Sequence, residues 1–278
     1  MNHIEENYKL FERTSRGFYR ASKFLPEDLR QINTILYLTA RIADTIEDCS
    51  FWSIEQKKDY LEQFRQVLKS GDIRKFKIGI ILGNYPFPER ELRILENAGK
   101  IIDDFNSIGD YIRNIISKNI TEMTIGMEKF LERRIITFDD QNEYCDYVAG
   151  TVGAVLTEIY TLFGKPEDES SYYEMTRWVN NFGRALQKVN IIRGMRKDYD
   201  SSKNNDEANK IYIPQILIDE AGISLEDMFD SEHKEQSQRI LDELVIDSIN
   251  NFEFSLNYLF NIPYILQHDS LQLCQNPT

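Results

Sequence analysis

The chain has 278 residues, 41% hydrophobic and 28% charged, enough for one large core or two modest ones and too apolar for a disordered protein. Its formal net charge of −13 argues against nucleic acid as a partner, since neutralising phosphates takes a surplus of Lys and Arg. Three cysteines at unrelated spacings (Cys49, Cys145, Cys274) form neither a disulfide framework nor a CxxC site, and no signal-peptide pattern opens the chain, so a cytoplasmic protein is expected.

Alternating runs typical of strands are almost absent, and apolar residues recur at three- and four-residue spacing, the helical period. Leu29 to Cys49 is the first such stretch, with Pro26-Glu27-Asp28 placing a proline early and acids in the first turn. It carries Asp44-Thr45-Ile46-Glu47-Asp48, in which Asp44 and Asp48 share a helix face one turn apart and Glu47 lies beside them. Carboxylates crowded in this way repel unless a cation sits between them. Mg²⁺ suits such a group, because it takes oxygen ligands, keeps several waters and is completed by substrate phosphates. The alternative is an acidic helix end facing solvent. Arg41, three residues before Asp44, either holds a phosphate or forms a salt bridge to Asp44.

Ser53 to Leu68 predicts a second helix, stopped near Ser70-Gly71-Asp72, and Gly83 to Pro88 predicts a loop. Glu89 to Ser107, Tyr111 to Arg133 and Gln141 to Phe163 follow as helices, the last closed by Gly164-Lys165-Pro166. Small residues at Ala149, Gly150, Gly153 and Ala154 leave room for another helix or for a long apolar ligand. Ser170 to about Tyr199 is a long helix on which Gln187, Asn190, Gly194 and Asp198 form one stripe, with Arg193 beside it. Its Gly costs about 1 kcal/mol against Ala and either reflects a close helix contact or marks a missing acid. A polar loop at Ser201 to Asp206 precedes Lys210, a third candidate phosphate ligand, and helix resumes after Pro214, through Asp242 to Phe260. His3, His233 and His268 are expected at the surface. No apolar run reaches the ~20 residues that cross a bilayer, so no transmembrane segment is expected. Peripheral contact with a membrane stays open, as does oligomeric state. One all-α domain spanning residues 1–278 is the expected architecture.

Taken together, these segments resemble the squalene/phytoene synthase family, its squalene synthase branch most closely. The resemblance is carried from about Ser15 to Gln215 by Ser15-Arg16-Gly17-Phe18, by Leu25-Pro26 through Tyr37 and Arg41 to the DxxED at Asp44–Asp48, and by Ile125-Gly126-Met127-Glu128-Lys129-Phe130-Leu131. Tyr144-Cys145, Tyr147-Val148-Ala149-Gly150 and Val152-Gly153 come next, then Leu186-Gln187-Lys188, Asn190 to Arg193, Asp198 and Lys210 to Gln215, all in the family's order.

The resemblance implies an all-α isoprenoid synthase fold with a central cavity. It implies Mg²⁺-dependent head-to-head condensation of two farnesyl diphosphates through presqualene diphosphate to squalene, with NADPH as reductant. It makes Asp44, Glu47, Asp48, Asn190 and Asp198 metal-site residues, with Gln187 beside the second diphosphate. It makes Arg41, Arg193 and Lys210 phosphate ligands and Tyr144 the tyrosine that handles a proton. Val148, Ala149, Val152 and Gly153 would line the prenyl channel, and Ser15, Phe18, Tyr37 and Tyr212 would contact substrate. Related outcomes are a C15 or C20 condensing enzyme that stops at presqualene diphosphate or makes dehydrosqualene or phytoene, and a prenyl-binding homologue without turnover. Gly194 and a short C-terminus favour the last of these. Gly194 stands where the family's second motif opens with Asp; Lys197 also replaces a common acid, Gly17 a usual Ser, and Lys210 a frequent Arg. The chain is also expected to be short at its C-terminus, ending at Thr278 before the family's last helices.

Overall fold

The computed structural model describes residues 3–77, 87–164, 169–202 and 211–266, and these contain helices and turns but no β-strand. Lys210, residues 83–86 of the expected first loop, 165–166, 203–206 of the polar loop, His268 and Cys274 lie outside the described residues. Two compact units follow one another, residues 1–128 and 129–278.

The first unit holds α1 (Ile4–Thr14), α2 (Arg16–Ser22), α3 (Glu27–Glu47), α4 (Ile54–Ser70), a 3₁₀ turn (Ile73–Lys75), α5 (Glu89–Glu96) and α6 (Ala98–Ser107), and α7 (Asp110–Phe130) begins within it. α3 is its axis, with α1, α4, α5 and α6 packed on it. Leu29, Ile35, Leu36, Leu38, Ile42, Ala43 and Ile46 are almost wholly buried, each large aliphatic contributing about 1.5–3 kcal/mol relative to exposure. α4 opens with a reciprocal capping box between Ser53 and Gln56 and ends at Gly71, whose φ of 71° closes the helix on the Val67 carbonyl. The helix expected over Glu89–Ser107 is two helices. At Asn97 the backbone leaves helical geometry, and the Asn97 side chain turns back to donate to the Arg93 carbonyl at 2.9 Å, the local competition that places Asn at helix ends.

The second unit holds α8 (Phe138–Cys145), a π turn (Asp146–Gly150), α9 (Thr151–Phe163), α10 (Glu169–Ser202), α11 (Gln215–Ala221), two 3₁₀ turns (Asp227–Phe229 and Ser231–His233) and α12 (Lys234–Leu266). α10 lies along α12 and also packs on the π turn and α9. α8 starts three residues before the apolar periodicity, because a polar capping box of Thr137 and Asp140 sets its first turn. A Cβ on Gly183 of α10 would stand 2.7 Å from the Gly150 nitrogen, so the two backbones meet directly. Gly153 makes room for the Val179 side chain, whose Cγ2 would stand 2.7 Å from a Cβ there. No helix among the described residues is long and apolar enough to cross a membrane.

Candidate functional site

In the first unit the acidic motif forms the C-terminal end of α3: Asp48 is the capping residue, its N–H bonded to the Asp44 carbonyl at 2.8 Å. Carboxylates there face the negative end of the helix dipole, which favours a cation at this position. The three side chains do not converge. Glu47 is buried, 4% exposed, whereas Asp44 is partly buried and Asp48 is exposed. Arg41 Nη1 donates to Asp44 Oδ2 at 3.0 Å, so the salt bridge offered as the alternative for Arg41 is formed. The same guanidinium keeps a buried Nε with no hydrogen-bond partner among the described residues, an orphan donor of the kind an anion satisfies. Burial raises the Asp44 carboxyl above its ordinary value, Arg41 opposes that rise, and Asp48 adds to it.

Around this pair the first unit gathers several other named residues. Ser15 caps α2 by accepting from the Phe18 N–H at 3.3 Å. Phe18, 53% exposed, and Tyr37 face each other with ring centroids 6.3 Å apart and planes tilted by 47°, and Tyr37 sits one turn before Arg41. Arg90 of α5 donates to the Thr14 carbonyl at the end of α1, and its charge reaches Asp44. Sequence reasoning missed Arg90, one of several charged residues that open the helix expected over Glu89–Ser107.

Among the described residues no three His, Cys, Asp or Glu side chains are grouped to hold a metal ion by themselves. Asp44 and Asp48, one turn apart, fit Mg²⁺ in a narrower sense: two carboxylates supply part of a shell that water and phosphate oxygens complete.

In the second unit α10 presents the second stripe. Gln187 is half-buried, and Asn190 and Arg193 are exposed. Gly194 has no acid, but Asp198 leans back toward it, its Oδ2 2.9 Å from where a Gly194 Cβ would stand. Asp200 does not supply the missing charge; it pairs with Arg196 at 2.9 Å. Lys188, next to Gln187, turns inward and is 2% exposed.

Tyr144 is buried on α8. Its ring stacks on Tyr212 at 4.0 Å between centroids and 10° between planes, and meets Phe130 edge-on at 5.4 Å. Gln141 donates to the Tyr212 carbonyl at 2.7 Å, while Gln215 and Ile216 N–H groups bond the Ile135 and Ile136 carbonyls. The fold thereby brings Tyr144 and Tyr212, 68 positions apart in sequence, into contact. Val148 is buried, and Ala149 and Val152 are half-buried.

The fold matches that of solved structures. TcSQS in complex with a ligand superposes with a TM-score of 0.79 at 24% identity over 96% of this chain and 74% of that one. A dehydrosqualene synthase in complex with a ligand gives 0.62 at 20% identity over 93% of this chain and 77% of that one. This is the all-α isoprenoid synthase fold. The squalene/phytoene synthase family model matches residues 11–264, and the chain belongs to that family. The squalene synthase of Dictyostelium discoideum is 26% identical over 287 residues, covering 97% of this chain, and that of Homo sapiens 28% over 281 residues, also covering 97%. The chain spans 64% and 63% of the length of these two relatives.

Proposed function

We propose that the chain, residues 1–278 acting as one catalytic domain, condenses two farnesyl diphosphates head to head through presqualene diphosphate to squalene. The observation that carries this reading is the end of α3, where Arg41 combines an ion pair to Asp44 with an unsatisfied buried Nε. Arg41, Arg193 and Lys210 bind diphosphate. Asp44 and Asp48, supported by Glu47, hold Mg²⁺ at the first diphosphate, and Asn190, Asp198 and Gln187 serve the second. When bound there, Mg²⁺ would offset the charge of the leaving diphosphate. The reductive step would draw its hydride from NADPH. Val148, Ala149, Val152 and Gly153 keep the prenyl chain in apolar surroundings, which protects a carbocation from water. Tyr144 handles a proton, held by its stack on Tyr212, and Ser15, Phe18 and Tyr37 contact substrate. The apolar product suits peripheral contact with a membrane.

Gly194 favours a second reading, a homologue that binds prenyl diphosphates without turnover or stops at presqualene diphosphate. Purified protein is incubated with farnesyl diphosphate and Mg²⁺, with and without NADPH, and products are identified by mass spectrometry. Squalene appearing only with NADPH supports the first reading. Presqualene diphosphate or dehydrosqualene as the end product identifies the related condensing enzymes. No product from the unaltered chain, with saturable binding of farnesyl diphosphate, supports the binding homologue.

A further inference from the structure

Arg184 and Lys188 stand one turn apart on α10. Asn142 and Asp146 stand one turn apart on α8 and the π turn, on either side of Tyr144 and Cys145. The two pairs join. Arg184 Nε donates to Asp146 Oδ1 at 2.7 Å and its Nη2 to Oδ2 at 2.5 Å, a two-bond fork. Lys188 Nζ donates to Asn142 Oδ1 at 2.5 Å and forms an ion pair with Asp247 of α12. With 2% of its side chain exposed, Lys188 is an interior ammonium, tolerable only when paired and hydrogen-bonded. One residue before Arg184, Gly183 lies against the backbone of the π turn.

We propose that Arg184 and Lys188 are positioning residues that lock Tyr144 in register with Gln187, Asn190 and Arg193 of the same helix, α10. A single polar link between helices permits rotation about it. Two links one turn apart on both partners do not: a slip of one residue moves a helix by about 1.5 Å and about 100° and breaks both. The lock therefore ties the tyrosine to the diphosphate stripe, and its catalytic meaning rests on the function proposed above. Asp247 completes the lock from α12, so three elements are set by one buried cation.

The test uses the full chain and two variants, Lys188→Met/Asp247→Leu and Arg184→Lys. The first removes the buried cation together with its half-buried partner, so neither charge is left unpaired. The second keeps the positive charge and loses the fork. Thermal denaturation establishes that each variant folds, and amide hydrogen exchange is read over residues 142–150. We expect exchange there to rise at least about tenfold in the first variant, with little change elsewhere. We expect kcat to fall about 100-fold with KM for farnesyl diphosphate held, and Arg184→Lys to show a smaller loss in the same parameter. Unchanged exchange over 142–150 in a folded variant overturns the lock. Faster exchange with unchanged kcat overturns its role in positioning Tyr144. An unaltered chain without turnover counts against the proposed function, while the exchange measurement still decides the lock.

Discussion

The carboxylate of Asp198 lies in the space a side chain on Gly194 would fill, its Oδ2 2.9 Å from the position of that Cβ. The two residues are one turn apart on α10, so the acid that remains leans toward the position of the acid that is missing. Restoring a side chain at 194 must swing the flexible end of Asp198 aside rather than move backbone.

Gly194→Ala is therefore expected to stabilise the fold. Ala gains about 1 kcal/mol of helix propensity over Gly, less the smaller cost of turning Asp198 away. Thermal denaturation should show a rise of a few degrees at most, and a fall would mean that Asp198 is fixed where it lies. Gly194→Asp should tighten Mg²⁺-dependent binding of diphosphate, measured by calorimetry.

Gly183→Ala has the opposite sign. Its Cβ would meet the Gly150 nitrogen at 2.7 Å and the Ala149 carbonyl carbon at 2.8 Å, and backbone cannot rotate out of the way. Overpacking of this kind costs about 1–3 kcal/mol. A melting temperature equal to that of the unaltered chain would show that the two helices part at no cost.

Asp44 sets a pH dependence at the first motif. Burial raises its carboxyl above the ordinary value of 3.8, against the pull of Arg41. Stability from the protonated form is complete below that ordinary value and lost as pH rises through the raised folded one. In the role proposed for Asp44 above, Mg²⁺ needs the carboxylate, so its affinity should weaken as pH falls through the raised value. Arg41→Gln removes the opposing cation and should shift this inflection to higher pH. Mg²⁺ titrations at a series of pH values read the shift, and an inflection that moves downward contradicts the assignment.

Cys145 should resist alkylation. Burial pushes its thiol up to about 12 from 9.0, which leaves little thiolate at neutral pH and no path for a reagent. Iodoacetamide at pH 8 should leave it unmodified in the folded protein and label it in urea, as read by mass spectrometry. Between pH 9 and about 12 the unfolded chain loses this proton first, so stability should fall as pH rises, by about 1.4 kcal/mol per unit.

Much of the first unit was legible because α3 obeys one period over five turns and its buried face is continuous. The acidic motif was legible as a motif near the end of its stretch, but the exact stop at Asp48 was not: Cys49 and Trp52 continue the apolar pattern, and both are buried without being helical parts of α3. The helix from Ile4 to Thr14 has no clear apolar period, since its buried face includes Asn7 and Thr14, polar residues that donate to Asp104 and to the Leu10 carbonyl. Lys188 reads in sequence as a solvated lysine. Its burial depends on Asn142 and Asp247, which lie 46 and 59 positions away and have no local signature. The pairing of Tyr144 with Tyr212 is hidden for the same reason.

The π turn at Asp146–Gly150 amounts to one residue added to an otherwise continuous helix. Removing that residue would wind the segment into an ordinary helix and turn everything before it by about 100° relative to everything after it. Tyr144 and Val152 would then no longer share their present relation around the axis. A single-codon deletion here would alter which side chains the helix offers to a ligand without changing the chemistry of any of them.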